Sequence, residues 1–95
     1  MSVYFMASIR INNDQEYQLY LDRSDEIFAR YKGSYLAVDK TPEVLEGEWN
    51  YSRAVLIHFD RQEDFDSWYR SDDYQEILQH RCSAAECDTI LIRGK

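Results

Sequence analysis

The residue best suited to acid–base chemistry is His58, one of two histidines in the 95 residues. An imidazole ring takes up and releases a proton close to neutral pH, so it can act as a general base or a general acid. A nucleophilic site also needs an orienting third group and donors for an oxyanion, and the sequence around His58 identifies neither. Two interpretations stay open: a general base in a half-dry cavity, and a histidine hydrogen-bonded across a subunit interface.

Further candidate ligand-binding residues are polar or aromatic side chains that the predicted strands place near His58. Tyr4, Ser8 and Arg10 alternate along the first predicted strand, and Tyr35 lies in the second. These four residues are the candidate partners of the imidazole. For Arg10, the alternative is a charge at the rim of a dimer, paired with an acid of the other subunit.

The segment before the third predicted strand adds Trp49 and Glu46. Trp49 follows a turn, where it would line the edge of a pocket or pack in a dimer interface. Glu46 would bind a ligand or accept hydrogen bonds from backbone amides, and we favour the second role because a carboxylate can fix a loop in this way. The neighbouring Gly47 predicts a bulge or a close approach of the backbone, so Gly47→Val is expected to damage folding.

Other residues whose side chains could take part in binding or catalysis have structural explanations. Trp68 and Tyr69 lie on the apolar face of a predicted helix and are expected in the core. Arg81 lies on the apolar stripe of the next helix, where it would extend to solvent or pair with an acid such as Asp88. His80 is predicted to face solvent.

Neither a metal nor a cofactor is expected. Cys82 and Cys87 are separated by four residues, which fits no CxxC pattern, and the two histidines form no HxH or HExxH pattern. We expect both cysteines to be reduced and to serve as small buried or half-buried apolar residues. No glycine-rich loop that could hold a phosphate is present in the sequence.

The charge balance argues against polyanionic partners. Eighteen acidic residues against 11 basic ones give a net charge of −7, and the basic residues are dispersed. Such a surface repels the phosphates of nucleic acids and an anionic membrane surface. The N-terminus has no basic region followed by an apolar one, and no apolar run approaches the ~20 residues of a membrane helix. We therefore expect a cytoplasmic protein.

Strands and helices alternate in a pattern typical of one α+β domain spanning residues 1–95. Apolar residues recur with period two in residues 3–11, 34–39, 53–60 and 89–93, which predicts four strands. The first helix is predicted to end at Gly33, before the second strand.

The helix starts carry N-cap signals. Asn13 and Asp60 precede helical patterns, with Glu16 and Glu63 in the capping-box position. Ser71 is predicted to begin a further helix that carries helical spacing to residue 85. The resulting order, β-α-β-β-α-(α)-β, is that of a ferredoxin-like βαββαβ sandwich.

The two faces of the predicted sheet differ in character. Right-handed crossovers put all helices on one face. The residues assigned to the helix side are Phe5, Ile9, Leu36, Val38, Val55, Ile57, Ile90 and Ile92. Those assigned to the opposite side are Tyr4, Met6, Ser8, Arg10, Tyr35, Ala37, Leu56, His58, Thr89 and Leu91. The second set is too apolar for solvent and too polar for a dry core, so we expect a second copy to cover it, forming a homodimeric α/β barrel with a partly polar cavity.

Two groups of residues carry a family resemblance. They are Glu46-Gly47 followed by Trp49, and Trp68-Tyr69 followed by Ser71, Tyr74-Gln75 and Arg81. With the strand between them, the chain resembles the domain of unknown function 1330 family from Tyr4 to Gly94. The resemblance implies a dimeric α/β barrel and no established reaction. This chain has His58 where the family often has an acid, and Val38 where it often has arginine.

Two function classes follow from the sequence. In the first, the protein is a homodimer that binds a small apolar or aromatic metabolite in the barrel cavity. In the second, it is a cofactor-free enzyme, similar to monooxygenases or isomerases of the superfamily, with His58 as general base. A polar group converging on His58 would favour the second class.

Overall fold

The fold is a four-stranded antiparallel sheet with three helices, and the computed structural model describes residues 1–95. In chain order the elements are β1 (Val3–Ile11), α1 (Asp14–Phe28), β2 (Gly33–Asp39), β3 (Arg53–Phe59), α2 (Gln62–Tyr69), α3 (Asp72–Ala84) and β4 (Ala85–Arg93). The strands lie side by side as β2-β3-β1-β4. The predicted ferredoxin-like βαββαβ fold is confirmed, with α2 and α3 sharing the second crossover. No helix is long and apolar enough to cross a bilayer.

Side-chain caps begin two of the three helices. The Asn13 side chain accepts a hydrogen bond from the Glu16 amide at 3.0 Å, and Ser71 Oγ accepts one from the Tyr74 amide at 3.1 Å, so both predicted N-caps are confirmed. The capping box predicted at Asp60 is wrong, because Arg61 is the N-cap residue of α2 and its side chain makes no capping bond.

Gly33 does not end α1, contrary to the prediction. The helix ends at Phe28 with Ala29 as its C-cap, and Gly33 is the first residue of β2. A Cβ at Gly33 would lie 2.5 Å from Phe28 Cζ and 2.7 Å from Phe59 Cε1. The glycine therefore permits a close approach between the strand and two buried rings.

The core lies between the helices and one face of the sheet, here called the helix side. Its strand residues include Val3, Phe5, Ala7, Ile9, Val55, Ile57 and Phe59, all buried. The helices contribute Tyr17, Tyr20, Ile27, Phe28, Phe65, Trp68, Tyr74 and Ile77. Trp68 is in the core as predicted, and Tyr69 is half-buried against it.

The orientation predicted for β4 is wrong. Ile90 pairs with Met6 and Ile92 with Tyr4, so both isoleucines lie on the opposite, uncovered face of the sheet, here called the open face. Thr89 and Leu91 lie on the helix side instead. Ile90-Leu91-Ile92 is apolar at every position, so only the register of β4 against β1 decides which side chains face the helices. That strand begins at Ala85, directly after α3 and earlier than predicted.

The faces predicted for Tyr35 and Leu36 are also wrong, because β2 contains a β-bulge. Tyr35 pairs with Ile57 on the helix side, whereas Ala37 pairs with Leu56 on the open face. Leu36 is the extra residue between them and is exposed, not packed against the helices. An inserted residue reverses the alternation, which a strict period of two cannot anticipate.

Residues 40–52 form a connecting arm between β2 and β3 that contains no strand. Its end is attached to β1, since the Ser52 amide donates to the Ile9 carbonyl at 2.8 Å and the Ile11 amide donates to Ser52 Oγ at 3.1 Å. Gly47 has φ +82°, with no atom within 4 Å of the place a Cβ would take. Gly47 is thus required for its backbone conformation and not for a close approach.

Candidate functional site

His58 lies on the open face, as predicted, and has three polar or aromatic neighbours. Its ring centre is 5.2 Å from that of Tyr4. Its Nε2 atom lies 3.0 Å from Ser2 Oγ and 3.7 Å from Asp60 Oδ1. A catalytic triad uses opposite ring nitrogens for the hydroxyl and the carboxylate. Because both groups here approach the same nitrogen, this cluster cannot relay a proton through the ring.

The other open-face candidates do not converge on His58. Arg10 forms an ion pair with Glu86 and donates to the Asn50 carbonyl at 3.2 Å. The hydrogen bond to Glu86 raises the pKa of Arg10. Arg10 lies six positions after Tyr4, which corresponds to about 20 Å along a strand. The two ends of the open face therefore cannot surround one small molecule.

Ser8 and Trp49 line a groove of about 610 Å³ between the open face and the connecting arm. Its charged lining is entirely acidic and consists of Asp39, Glu43, Glu46 and Glu48. No backbone amide donates to Glu46, so its predicted role in fixing the loop is not observed. The groove is apolar at its base, and the charges around it disfavour an anionic ligand.

A second hollow, here called the inner cavity, lies on the helix side and measures about 210 Å³. Its apolar lining consists of Phe5, Ala7, Ile9, Leu21, Val38, Val55 and Ile57. Its polar and aromatic lining consists of Tyr17, Tyr20, Ser24, Asp25, Tyr35, Arg53, Trp68 and Arg81. Asp25, Tyr35 and Val38 are exposed, so the cavity opens to solvent between α1 and the edge strand β2.

Arg81 is buried in the wall of this cavity, and its predicted extension to solvent or pairing with Asp88 is wrong. The side chain is 4% exposed, and its guanidinium carbon lies 5.8 Å from the centre of the Tyr20 ring. No carboxylate lies within 4 Å of it, and its Nε atom has no hydrogen-bond partner. Asp88 lies on the open face, where it accepts a hydrogen bond from Tyr51.

Two further donors in the wall also lack partners. Trp68 is 2% exposed and its Nε1 atom makes no hydrogen bond, and the same holds for Nε of the half-buried Arg53. The remaining unpartnered buried polar atom, Oδ1 of Asp66, lies outside the cavity and 3.5 Å from Nε of Arg70. Unpartnered N–H donors are thus concentrated at the inner cavity.

The tyrosines of the cavity are neutral at physiological pH. Desolvation raises the pKa of Tyr20 and of the partly exposed Tyr35 well above the usual range, and it raises that of Tyr74, which bonds to Tyr20, to about 12. Burial also raises the pKa of Tyr17, although nearby Arg53 partly opposes this. These hydroxyls can donate or accept hydrogen bonds, but they supply no negative charge to the two arginines.

Of the six ligand-binding candidates from the sequence, only Tyr35 lines the inner cavity. The sequence does contain a signal for Arg53 and Arg81, the two arginines of the cavity that are not among these six candidates. Arg53 shares its alternation with Val55 and Ile57, and Arg81 lies on an apolar helical stripe. A cation within an apolar pattern marks a charge directed into the core, which is rare without a partner.

The remaining titratable candidates lie apart from both hollows. His80 is partly exposed, with Nδ1 3.5 Å from Glu16 Oε2. Cys82 is exposed, contrary to expectation, and Cys87 is half-buried; both are unbonded. Burial raises the pKa of the Cys87 thiol.

Several solved structures share this fold at low sequence identity. A protein of unknown function from Rhodopseudomonas palustris has a TM-score of 0.80 and 17% identity, covering 99% of this chain and 82% of that chain. SnoaB, a cofactor-independent oxygenase from Streptomyces nogalater, has a TM-score of 0.71 and 13% identity, and the match covers 99% of this chain and 93% of SnoaB. A dimeric ferredoxin-like protein of unknown function from Thermobifida fusca has a TM-score of 0.68 and 18% identity, and the match covers 99% of this chain and 92% of that protein.

Sequence comparison identifies the family of this chain. No curated protein sequence matches this chain significantly. The model of a domain of unknown function, DUF1330, matches residues 2–95, and the chain belongs to that family.

Proposed function

We propose that this protein is a homodimer that binds a small aromatic molecule in the inner cavity of each protomer. The observation that carries the proposal is the cavity itself, about 210 Å³ in volume and lined by aromatic and aliphatic side chains around a few polar groups. Ligand sites are typically concave, largely apolar and provided with a small number of orienting polar groups.

The volume limits the ligand to about one ring. An apolar cavity of about 150 Å³ accommodates benzene. The inner cavity is larger, with room for one aromatic ring and a short substituent. The rings of Phe5, Tyr17 and Trp68 would contact such a ligand, and the opening beside Val38 gives it a route from solvent.

The uncovered sheet supports the homodimer. Ile90 and Ile92 are 55% and 41% exposed on the open face, beside the exposed Met6. Large apolar side chains grouped on one sheet face are typical of an interface, and a two-fold axis would cover this face with its own copy. A related fold in Thermobifida fusca is described as dimeric.

The test is a fluorescence titration with benzyl alcohol on a Trp49→Phe background, in which Trp68 is the only tryptophan. We expect saturable quenching or enhancement of Trp68 emission. Val38→Phe would narrow the opening and weaken binding at least about tenfold. Ala37→Phe is the matched control, because the neighbouring Ala37 faces the open-face groove instead. Binding that is absent, or that Ala37→Phe abolishes and Val38→Phe does not, would refute the proposal.

A cofactor-free enzyme with His58 as general base is the second candidate. The Asp60 carboxylate 3.7 Å from Nε2 favours it, since a carboxylate can orient an imidazole base. Its substrate would lie on the open face, away from the inner cavity. The two candidates differ in where the ligand lies: benzyl alcohol that changes Trp68 emission supports the inner cavity, whereas a ligand that shifts the NMR signals of the His58 ring and leaves Trp68 emission unchanged would favour the second candidate.

A further inference from the structure

We propose that the natural ligand of the inner cavity is an aromatic carboxylate whose anionic group is bound by Arg81, with Trp68 and Arg53 as further donors. This inference rests on the proposed function and narrows it from small aromatic molecules to aromatic acids. Three independent features of the cavity wall support it: its hydrogen-bonding atoms, its charge and its shape.

The hydrogen-bonding atoms lack acceptors. Nε of Arg81, Nε1 of Trp68 and Nε of Arg53 are buried without partners, and all three residues line the inner cavity. A buried donor without an acceptor retains the full cost of its desolvation, so folded proteins rarely leave one. Three donors on one cavity form a site for a ligand that accepts hydrogen bonds.

The charge of the wall is positive in an otherwise acidic protein. The chain carries a net charge of −7, and every other arginine except the exposed Arg93 lies within 4 Å of a carboxylate. Arg53 and Arg81 have no such partner, and Asp25, exposed at the opening, is the only acid among the lining residues. A buried guanidinium without a counter-ion is costly, and an anionic ligand would supply that counter-ion.

The shape and the remaining lining select a carboxylate attached to a ring. The Tyr20 ring lies against one side of the Arg81 guanidinium, 5.8 Å from its carbon, which leaves the edges of the planar group for a planar anion. Inorganic phosphate would leave the apolar part of the cavity unfilled. A benzoate-sized ligand fills both parts, with its carboxylate at Arg81 and its ring beside Phe5 and Tyr17.

The test compares benzoate with benzamide on the Trp49→Phe background. The two probes have nearly the same shape, but only benzoate is charged at pH 7. We expect benzoate to bind at least about tenfold more tightly, as is typical of a charge-assisted hydrogen bond. Arg81→Met should abolish this preference. Arg10→Met, which removes an arginine from the open face, should retain it.

The outcomes separate the inference from the function it rests on. If benzamide binds as tightly as benzoate, the ligand is not an acid and the inference fails, while the aromatic-binding function stands. If benzamide, benzoate and benzyl alcohol all fail to bind, the proposed function fails as well. If Arg81→Met does not fold, two measurements still test the inference. The parent protein should bind benzoate more tightly than benzamide, and Arg53→Met should weaken that preference.

Discussion

The hydroxyl groups of Tyr20 and Tyr74 lie 2.7 Å apart in the core and join α1 to α3. Both side chains are buried, and the Arg81 guanidinium lies beside the Tyr20 ring. Burial is the main reason that the pKa of Tyr20 lies well above its usual value and that of Tyr74 reaches about 12. The pair therefore stabilises the fold only while both hydroxyls remain protonated.

Alkaline solution should destabilise the protein through this pair. A folded-state pKa raised above the unfolded value of about 10 gives stability that is complete below pH 10 and is lost as pH rises toward 12. For Tyr74 the loss is on the order of 3 kcal/mol. Thermal unfolding by circular dichroism should show Tm falling steeply between pH 10 and pH 12.

The double variant Tyr20→Phe, Tyr74→Phe is the control for the alkaline prediction. Replacing both partners of a buried hydrogen bond by apolar groups of similar shape is nearly neutral, so Tm at pH 7 should change little. Its fall above pH 10 should be shallower than that of the parent. An equally steep fall in both proteins would show that other groups cause the alkaline loss.

A charge on the open face should separate the protomers. Ile90 is 55% exposed there, so Ile90→Asp would bury a carboxylate in the dimer interface without a partner. Sedimentation velocity at micromolar concentration should show the parent as a dimer and Ile90→Asp as a monomer. Leu19→Asp is the matched control, because Leu19 is 47% exposed on α1, away from the open face. A parent protein that sediments as a monomer would contradict the homodimer.

Gly47→Val should lower the free energy of unfolding through its backbone alone. Gly47 has φ +82°, a region in which a β-branched residue is strained, and no atom lies within 4 Å of a Cβ built there. We expect a loss of about 1–3 kcal/mol in urea unfolding. Gly47→Asn should be tolerated better, because asparagine adopts positive φ more readily. Equal stability of the parent and Gly47→Val would mean that the connecting arm changes conformation freely.

The strict alternation of β1 and β3 made the position of His58 predictable. Phe5, Ile9, Val55 and Ile57 alternate with residues of other character, so each face could be assigned without the structure. In β2 the extra residue Leu36 reverses the alternation. In β4 three successive apolar residues carry no preference, so only pairing with β1 fixes the register.

The inner cavity is lined by residues from three strands and three helices, which explains why the sequence did not identify it. Arg81 is recognisable in the sequence as a cation on an apolar stripe, and Asp88 is the acid suggested there as its partner. Because Asp88 pairs with Ser8, it lies on the open face, and the sheet separates it from Arg81. The apolar pattern predicts that Arg81 is directed into the core, but the absence of a partner for it is a property of tertiary packing that no local pattern shows.

Removing the acid at the opening of the inner cavity should strengthen the binding of an anion. Asp25 is exposed and is the only carboxylate among the lining residues, so it repels benzoate and leaves benzamide unaffected. Asp25→Asn should increase the affinity for benzoate roughly twofold or more at low salt, and less at 0.5 M salt because screening weakens the repulsion. Asp22→Asn is the matched control, since Asp22 lies on the same helix outside the cavity and bonds to Gln18. Reduced affinity in Asp25→Asn would contradict the repulsion and would mean that Asp25 contributes to binding.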